Sequence, residues 1–209
     1  MSTVDMVEAV LRERMLRGDV EPGLRVRQDE LAAELGVSKI PVREALQRLA
    51  AAGLLLFESN RGAIVPALNM DDAAENYALR RSIEPQLLDR ALDRMSVVDL
   101  AEAEWSLDSP SMSVPESNWA FHRALYRPGG WSRGLAIAEM LHAAVAPYVR
   151  LYTEQLGGAT DSDAEHRRLL EACRQGARGA ANSLLKVHLD RAERALVAYL
   201  GNAAESGGP

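Results

Sequence analysis

Two short amphipathic segments separated by one glycine constrain the fold of this chain most strongly. Residues 28–35 place their apolar side chains on one helical face, and in the next segment Val42, Leu46 and Leu49 recur at three- and four-residue spacing. Gly36, between the segments, can adopt a positive φ and so allow a sharp change of direction. The pattern predicts a helix-turn-helix, whose second helix usually enters the major groove of DNA.

The second of these helices has a basic outer face. Ser38 can cap it, because a hydroxyl there can accept a hydrogen bond from a first-turn amide, and Pro41 is tolerated in the first turn. Lys39, Arg43 and Arg48 lie off the apolar stripe, where they could face phosphates. On the pattern alone, a basic face of this kind is more often a solvated surface than a DNA-binding one. The surrounding sequence therefore has to distinguish the two.

The charge of the chain is unevenly distributed. The 24 basic and 30 acidic residues give a net charge of −6, but residues 1–66 contain nine Lys/Arg and ten Asp/Glu and are nearly neutral. The longest uncharged apolar run, residues 49–57, is far shorter than a membrane span, and no secretory segment is recognised at the N-terminus. We therefore expect a cytoplasmic protein without a membrane partner.

A short β-hairpin is predicted after the basic helix. Gly53 ends the helix, residues 54–57 form an apolar strand, residues 58–62 are rich in turn formers, and residues 63–65 form the return strand. Arg61 and Gly62 fall at the tip of this predicted wing, where a cation could reach a narrow groove.

In order and spacing, about residues 4–66 resemble the winged helix-turn-helix of the GntR family of bacterial transcription regulators. The residues that carry this resemblance are Gly18, Pro22-Gly23-Leu24, Leu31-Ala32, Gly36-Val37-Ser38, Pro41 to Leu49, Gly53-Leu54 and Arg61 to Val65. Members of that family bind operator DNA as dimers. The resemblance implies DNA contacts by Ser38, Lys39, Pro41, Arg43, Arg48, Arg61 and Gly62. Lys39 stands where the family usually has a base-reading arginine, so it lacks the two-pronged contact with guanine.

Beyond the linker, the sequence predicts a bundle of helices. The predicted helices cover residues 71–94, 97–107, 116–127, 131–156 with an interruption near Pro147, 161–175 and 177–201. The expected fold is mainly α, with a winged helix-turn-helix followed by an all-α bundle of six or seven helices. The predicted domains are 1–66 for DNA binding, 67–70 as linker, 71–201 for effector binding and dimerisation, and 202–209 as a flexible tail.

Three histidines on three predicted helices are candidates for a metal site. His122 follows Asn118 at i, i+4 spacing, so both lie on one helix face, while His166 and His188 lie on the last two helices. Neutral imidazoles converging from three helices would suit zinc, nickel or a similar divalent transition metal. From spacing alone, each histidine is more often a hydrogen-bonded core or surface residue, and His142 falls outside the pattern.

The predicted bundle resembles the FCD-type ligand-binding domain of the FadR-like branch of the GntR family. The resemblance rests on Leu79 to Glu84, Phe121-His122, Glu165-His166 and His188-Leu189. Many such domains hold a metal on one aspartate and three histidines, in a cavity that also receives a small carboxylate. In this chain Asn118 occupies the position of the aspartate, and an amide oxygen is a weaker ligand than a carboxylate. Arg80 is the candidate for binding an effector carboxylate, with Tyr77 and Trp119 as further pocket residues.

These features predict a ligand-responsive DNA-binding regulator. A homodimer would bind a two-fold symmetric, double-stranded operator, and a small organic acid would modulate the affinity, with relief of repression as the expected sign. Two alternatives remain open from the sequence: a metal-dependent hydrolase, with Glu165 as the nearest candidate base, and a metal-free sensor of small acids. The only cysteine, Cys173, has no partner for a disulfide.

Overall fold

A computed structural model describes residues 2–58, 62–156 and 159–205, and within these the side chains of 151–161 and 203–205 are not described. The elements in chain order are α1 (Thr3–Leu16), α2 (Gln28–Leu35), α3 (Lys39–Ala51), β1 (Leu56–Glu58), β2 (Gly62–Ile64), α4 (Met70–Leu92), α5 (Val97–Asp108), α6 (Val114–Tyr126), a 3-10 turn (Arg127–Gly129), α7 (Ser132–Leu156), α8 (Ala159–Arg174) and α9 (Arg178–Glu205). The predicted fold class, a winged helix-turn-helix followed by a helical bundle, is confirmed. No helix in the described ranges is long and apolar enough to cross a membrane.

The first three helices and the hairpin, here called the head, pack around the apolar stripe of α3. Val42, Leu46 and Leu49 are completely buried, together with Val7 of α1. Gly36 ends α2 with a φ of +66°, the left-handed conformation that the turn requires. The helix-turn-helix is therefore built as the sequence predicts.

The start of α3 differs from the prediction in one respect. Ser38 occupies the N-cap position, but its side chain makes no capping hydrogen bond. A cap usually accepts from the second or third helical N–H, and the third helical residue here is Pro41, which has none. The serine hydroxyl is therefore not held by the end of its own helix.

The wing is an antiparallel pair in which Leu56 lies opposite Ile64. Arg25 forms an additional bridge with Ile64, so the short extended piece before α2 lies beside the wing. The first strand begins two residues later than predicted, because the N–H of Leu54 still bonds to the carbonyl of Leu49 at the end of α3. Arg61 lies outside the described residues.

The remaining six helices, α4 to α9, form the bundle. α7 continues through Pro147, so the predicted interruption is wrong: Ala146 and Tyr148 on either side of the proline are buried, and their packing outweighs the lost hydrogen bond. α9 continues beyond Gly201 to Glu205, so the tail predicted from residue 202 begins as helix. A single glycine costs about 1 kcal/mol in a helix, too little to end it. Residues 206–209 are outside the described ranges.

The head and the bundle share an interface formed mainly by α1 with α6 and α7. Ala143 of α7 is buried in the apolar core of the head, and Met140 packs against that core. At the end of α1, the Nε of Arg17 donates to Glu116 Oε2 at 3.2 Å, and the Ser113 hydroxyl donates to the carbonyl of Arg17 at 3.3 Å. Ser113 and Glu116 also form the capping box of α6, so the first turn of α6 is bonded directly to the head.

Candidate functional site

The candidate DNA-reading surface is the outer face of α3. Ser38, Lys39 and Arg43 are exposed there, with Pro41 half-buried beside them. The Nζ of Lys39 lies 2.8 Å from Asp29 of α2, and Arg48 lies 3.0 Å from Asp5 of α1. Exposed ion pairs of this kind contribute little and can exchange for contacts with phosphate. Arg43 makes no ion pair with any residue that the structure describes, so its charge is already available to a partner.

A cation that the sequence reasoning missed lies beside the wing. Arg25 is exposed, and its guanidinium lies beside Gly62, close enough that a Cβ added at Gly62 would be 3.6 Å from Nε. Gly62 has a φ of +76°, which favours glycine at this position. The bridge between Arg25 and Ile64 joins segments 39 residues apart, and the sequence carries no signal for that pairing.

The three predicted metal-binding histidines come together inside the bundle. His122 of α6, His166 of α8 and His188 of α9 are all buried, and one nitrogen from each lies within 4.8 Å of the others. The Nε2 atoms of His166 and His188 are 3.3 Å apart. Burial and the neighbouring charged groups hold the pKa of His122 and of His166 well below the usual value, so both imidazoles are neutral.

Two buried acceptor atoms face this cluster without a partner. Asn118 Oδ1 and His122 Nε2 have no hydrogen bond to any described residue. The two residues are one helical turn apart on α6, and Asn118 lines the same cavity as His166 and His188. Leaving a buried polar group without a partner costs free energy, so these two atoms are candidates for contact with a bound ion or water.

The outer nitrogens of two of these histidines are hydrogen-bonded to other side chains. His122 Nδ1 lies 3.0 Å from the hydroxyl of Tyr126, which donates in turn to Glu84 Oε2 at 2.7 Å. His188 Nδ1 lies 3.0 Å from Glu165 Oε2. These contacts orient the rings and leave the Nε2 atoms facing the centre of the cluster.

His142, which the sequence reasoning set aside, belongs to this region. It is buried, its Nε2 lies 2.8 Å from a terminal nitrogen of Arg80 and 3.2 Å from Glu84, and its ring is 5.2 Å from that of His122. Burial and the Arg80 charge lower its pKa to about 4. The partners of His142 are on α4, about 60 positions away, so the apolar pattern of α7 predicts that the residue is buried but not what it contacts.

A cavity of about 310 Å³ lies against the cluster. Its lining includes Tyr77, Arg80, Asn118, Tyr148, His166 and His188. Trp119, predicted as a pocket residue, is not among the lining residues; it lies on the adjacent face of α6, where its ring packs 4.8 Å from that of His142. Arg80 is almost completely buried, and its Nε already donates to Glu84 at 2.6 Å. An effector could therefore contact only the part of the Arg80 guanidinium that is not bonded to Glu84.

Comparisons with known proteins agree with this architecture. The profile of the bacterial regulatory proteins, gntR family, matches residues 3–65, and that of the FCD domain matches residues 75–191. The crystal structure of a GntR family member from Pseudomonas syringae is 30% identical, covers 98% of this chain and 88% of its own, and has a TM-score of 0.58. This chain belongs to the GntR family of bacterial transcription regulators.

Two further known proteins are similar to this chain. Escherichia coli McbR/YncC shares the fold, with a TM-score of 0.85 over 94% of this chain and 97% of its own at 22% identity. The gluconate operon transcriptional repressor of Bacillus licheniformis is 36% identical over 99 residues, which are 47% of this chain and 40% of that protein. The match spans less than half the length of several curated relatives. The FadR-like, FCD-containing branch fits these matches, and the hydrolase alternative has no support among them.

The donor atoms in this GntR-family regulator fit a divalent transition metal. Neighbouring ligands of a tetrahedral zinc ion, each about 2.0–2.1 Å from it, lie about 3.3–3.4 Å apart. The 3.3 Å between the Nε2 atoms of His166 and His188 agrees with that spacing. Asn118 Oδ1 and His122 Nε2 lack any other partner among the described residues, so both remain available as donor atoms beside His166 and His188.

Proposed function

We propose that this GntR-family protein is a ligand-responsive cytoplasmic repressor that binds a two-fold symmetric operator as a homodimer. In this proposal residues 1–66 bind DNA, residues 67–70 link the domains, and residues 71–201 bind the effector and dimerise. The observation that carries the proposal is the exposed basic face of α3, with Arg43 free of ion pairs to described residues, on a helix-turn-helix scaffold. The name of the gluconate operon repressor supports repression as the sign of regulation.

The predicted DNA contacts of α3 follow from the positions of their side chains. Arg43 and the Ser38 hydroxyl, which makes no capping bond to α3, are suited to phosphate or base contacts at the start of α3, with Lys39 and Pro41 beside them. Arg48 is available after exchanging its ion pair with Asp5. At the wing, Gly62 allows close backbone approach, and Arg61, which lies outside the described residues, is proposed from the sequence as the minor-groove contact.

The effector site is proposed in the cavity beside the histidines. His122, His166, His188 and Asn118 would hold the metal, zinc or nickel by the chemistry of their donor atoms. A bound divalent cation would supply positive charge for an effector carboxylate. Because Asn118 is neutral, this site keeps one more positive charge than a site with aspartate, which favours an anionic ligand. Tyr77 and the accessible part of Arg80 would contact the same small organic acid.

α6 provides the proposed connection between effector and DNA. It carries Asn118 and His122 in its middle and is bonded to the head at its first turn through Ser113 and Glu116. A ligand that favours one position of α6 would therefore favour one position of the head relative to the bundle. The coupling requires that the ligand bind the two arrangements with different affinity.

DNA binding is tested by Arg43→Ala in a gel-shift titration with operator fragments, with Arg133→Ala on the exposed surface of α7 as the matched control. We expect Arg43→Ala to weaken binding at least tenfold and to reduce the salt dependence by about one counterion if the contact is to phosphate. Arg133→Ala should leave the affinity for DNA and its salt dependence unchanged. Unchanged affinity of Arg43→Ala, with fold and oligomeric state preserved, would refute the assignment of α3.

The effector site is tested with elemental analysis and thermal shifts for a panel of small carboxylates, with and without chelator. We expect bound metal and carboxylate-dependent stabilisation that chelator removes, and Asn118→Asp should bind the metal more tightly. Stabilisation that persists in chelator would instead favour the metal-free sensor. Unchanged metal affinity in both Asn118→Asp and Asn118→Ala would remove Asn118 from the ligand set.

A further inference from the structure

The bonding around Tyr126 determines which nitrogen of His122 carries the proton. The Tyr126 hydroxyl has a single hydrogen, and it donates that hydrogen to Glu84 Oε2 at 2.7 Å. The Glu84 carboxylate can only accept, and the Nε of Arg80 donates to its other oxygen at 2.6 Å. The oxygen of Tyr126 is therefore an acceptor toward His122 Nδ1, 3.0 Å away. It follows that His122 carries its proton on Nδ1 and a lone pair on Nε2.

The same argument applies to His188, with a simpler partner. Its Nδ1 lies 3.0 Å from Glu165 Oε2, and a carboxylate oxygen is an acceptor only. Arg191 Nη1 lies 2.8 Å from the other oxygen of Glu165 and holds the carboxylate in place. His188 thus also carries a proton on Nδ1, and in the neutral ring the lone pair is on Nε2, facing His166.

We propose that Glu84, through Tyr126, and Glu165 are positioning residues that fix which nitrogen carries the proton on His122 and His188 before any ligand binds. With their hydrogen bonds in place, His122 Nε2, His188 Nε2 and Asn118 Oδ1 all offer lone pairs to the same space. The site is thereby prepared for a cation and rejects a ligand that offers only acceptor atoms there. This inference deepens the proposed metal site, and only its second measurement rests on that function.

Hydrogen bonding to one ring nitrogen selects the tautomer of a neutral histidine in proteins generally. A neutral imidazole can carry its proton on either nitrogen, and the hydrogen bond at one nitrogen decides which form is present. Removing the outer partner of a metal-binding histidine typically weakens metal affinity 10–100-fold. Tyr126 and Glu84 are completely buried, so water cannot readily replace the hydroxyl.

The matched pair of variants is Tyr126→Phe and Tyr199→Phe. Both remove one hydroxyl from a tyrosine of the bundle, but Tyr199 of α9 packs against the bundle core away from the cavity lining and makes no hydrogen bond to a histidine of the described structure. A loss of stability alone would affect both variants. Only the loss of the proposed role would change His122 in one of them.

The first measurement is ¹⁵N NMR of histidine-labelled, chelator-treated protein, which reports the protonated nitrogen of each ring without any metal. We expect Nδ1–H for His122 and His188 in the wild type, a change at His122 in Tyr126→Phe, and a change at His188 in Glu165→Ala, which removes the acceptor. Tyr199→Phe should match the wild type. Finding Nε2–H on His122 of the wild type would overturn the proposal even if no variant folds.

The second measurement is Zn²⁺ affinity by competition with a chromophoric chelator. We expect a loss of 10–100-fold for Tyr126→Phe and of less than threefold for Tyr199→Phe. Equal losses in the two variants would overturn the positioning role. A wild type that shows the expected NMR pattern but no zinc affinity would refute the proposed metal, while the assignment of the protons would stand.

Discussion

Gly18 offers a direct test of how tightly the head is packed against the bundle. It follows α1 with a φ of +72°, and a Cβ at this position would lie 2.9 Å from the carbonyl oxygen of Ala146 and 3.3 Å from Cβ of Arg150, both on α7. Gly36 has nearly the same conformation, with a φ of +66°, but nothing lies within 4 Å of its added Cβ. The two glycines thus differ mainly in their surroundings.

This difference gives the expected magnitudes for substitution by alanine. A left-handed conformation costs an L-residue roughly 1–2 kcal/mol, and this applies to both sites. At Gly18 the added methyl also meets backbone, which cannot move aside as a flexible side chain can. Overpacking of that kind costs about 1–3 kcal/mol, so Gly18→Ala should lower the free energy of unfolding by about 2–5 kcal/mol and Gly36→Ala by about 1–2 kcal/mol.

The assay is urea denaturation of both variants, followed by far-ultraviolet circular dichroism for the whole chain and by tryptophan fluorescence for the bundle. All three tryptophans, Trp105, Trp119 and Trp131, are in the bundle, so fluorescence reports on its side of the interface. Equal losses of stability for Gly18→Ala and Gly36→Ala would refute the close packing of α1 on α7.

Three further predictions concern the cores and the buried titratable groups. Leu46→Ala should lower the free energy of unfolding by about 2–5 kcal/mol in urea denaturation, because the side chain is fully buried; a loss below 1 kcal/mol would contradict that packing. His142 has a pKa of about 4 when folded against 6.5 normally, so the unfolded state binds more protons below pH 6.5. The free energy of unfolding should therefore decrease by about 3 kcal/mol for this group as the pH is lowered from 6.5 to about 4. A denaturation midpoint that stays constant over this pH range would contradict the prediction. Burial raises the pKa of Cys173 to about 12, so the native protein should react with iodoacetamide far more slowly than the urea-unfolded chain, and equal labelling rates would show that the thiol is accessible.

Much of the fold follows from local patterns that the sequence displays directly. The stripe of Val42, Leu46 and Leu49, with Gly36 before it, was sufficient for the helix-turn-helix, because spacing and turn chemistry are local. The missing cap at Ser38 can also be related to the sequence, because the third helical residue, whose N–H often donates to a cap, is Pro41. Pro41 is tolerated in the first turn because its N–H is not needed by the helix, but the same missing N–H removes a donor that a Ser38 cap could use.

Contacts between distant segments were not predictable in the same way. Periodicity indicates that His142 is buried, but its position beside Arg80 and Glu84 depends on how α4 packs against α7. His142 also lies outside the histidine pattern of the family resemblance, so the sequence gives no reason to include it in the site. The three other histidines were recovered through the family resemblance, because their spacing alone is equally compatible with isolated core residues.

The burial of Ala143 within the core of the head has a consequence for exchanging parts between regulators. This alanine and the neighbouring Met140 belong to α7, well beyond the linker in sequence, yet they close one side of the head. A fragment cut at residue 66 would lack these two side chains of α7. In a chimera with a foreign effector domain, the head would pack against a surface of different shape. The transplantable unit is thus the head together with the matching face of α7, and heads should exchange best between relatives that keep small side chains at positions 143 and 146.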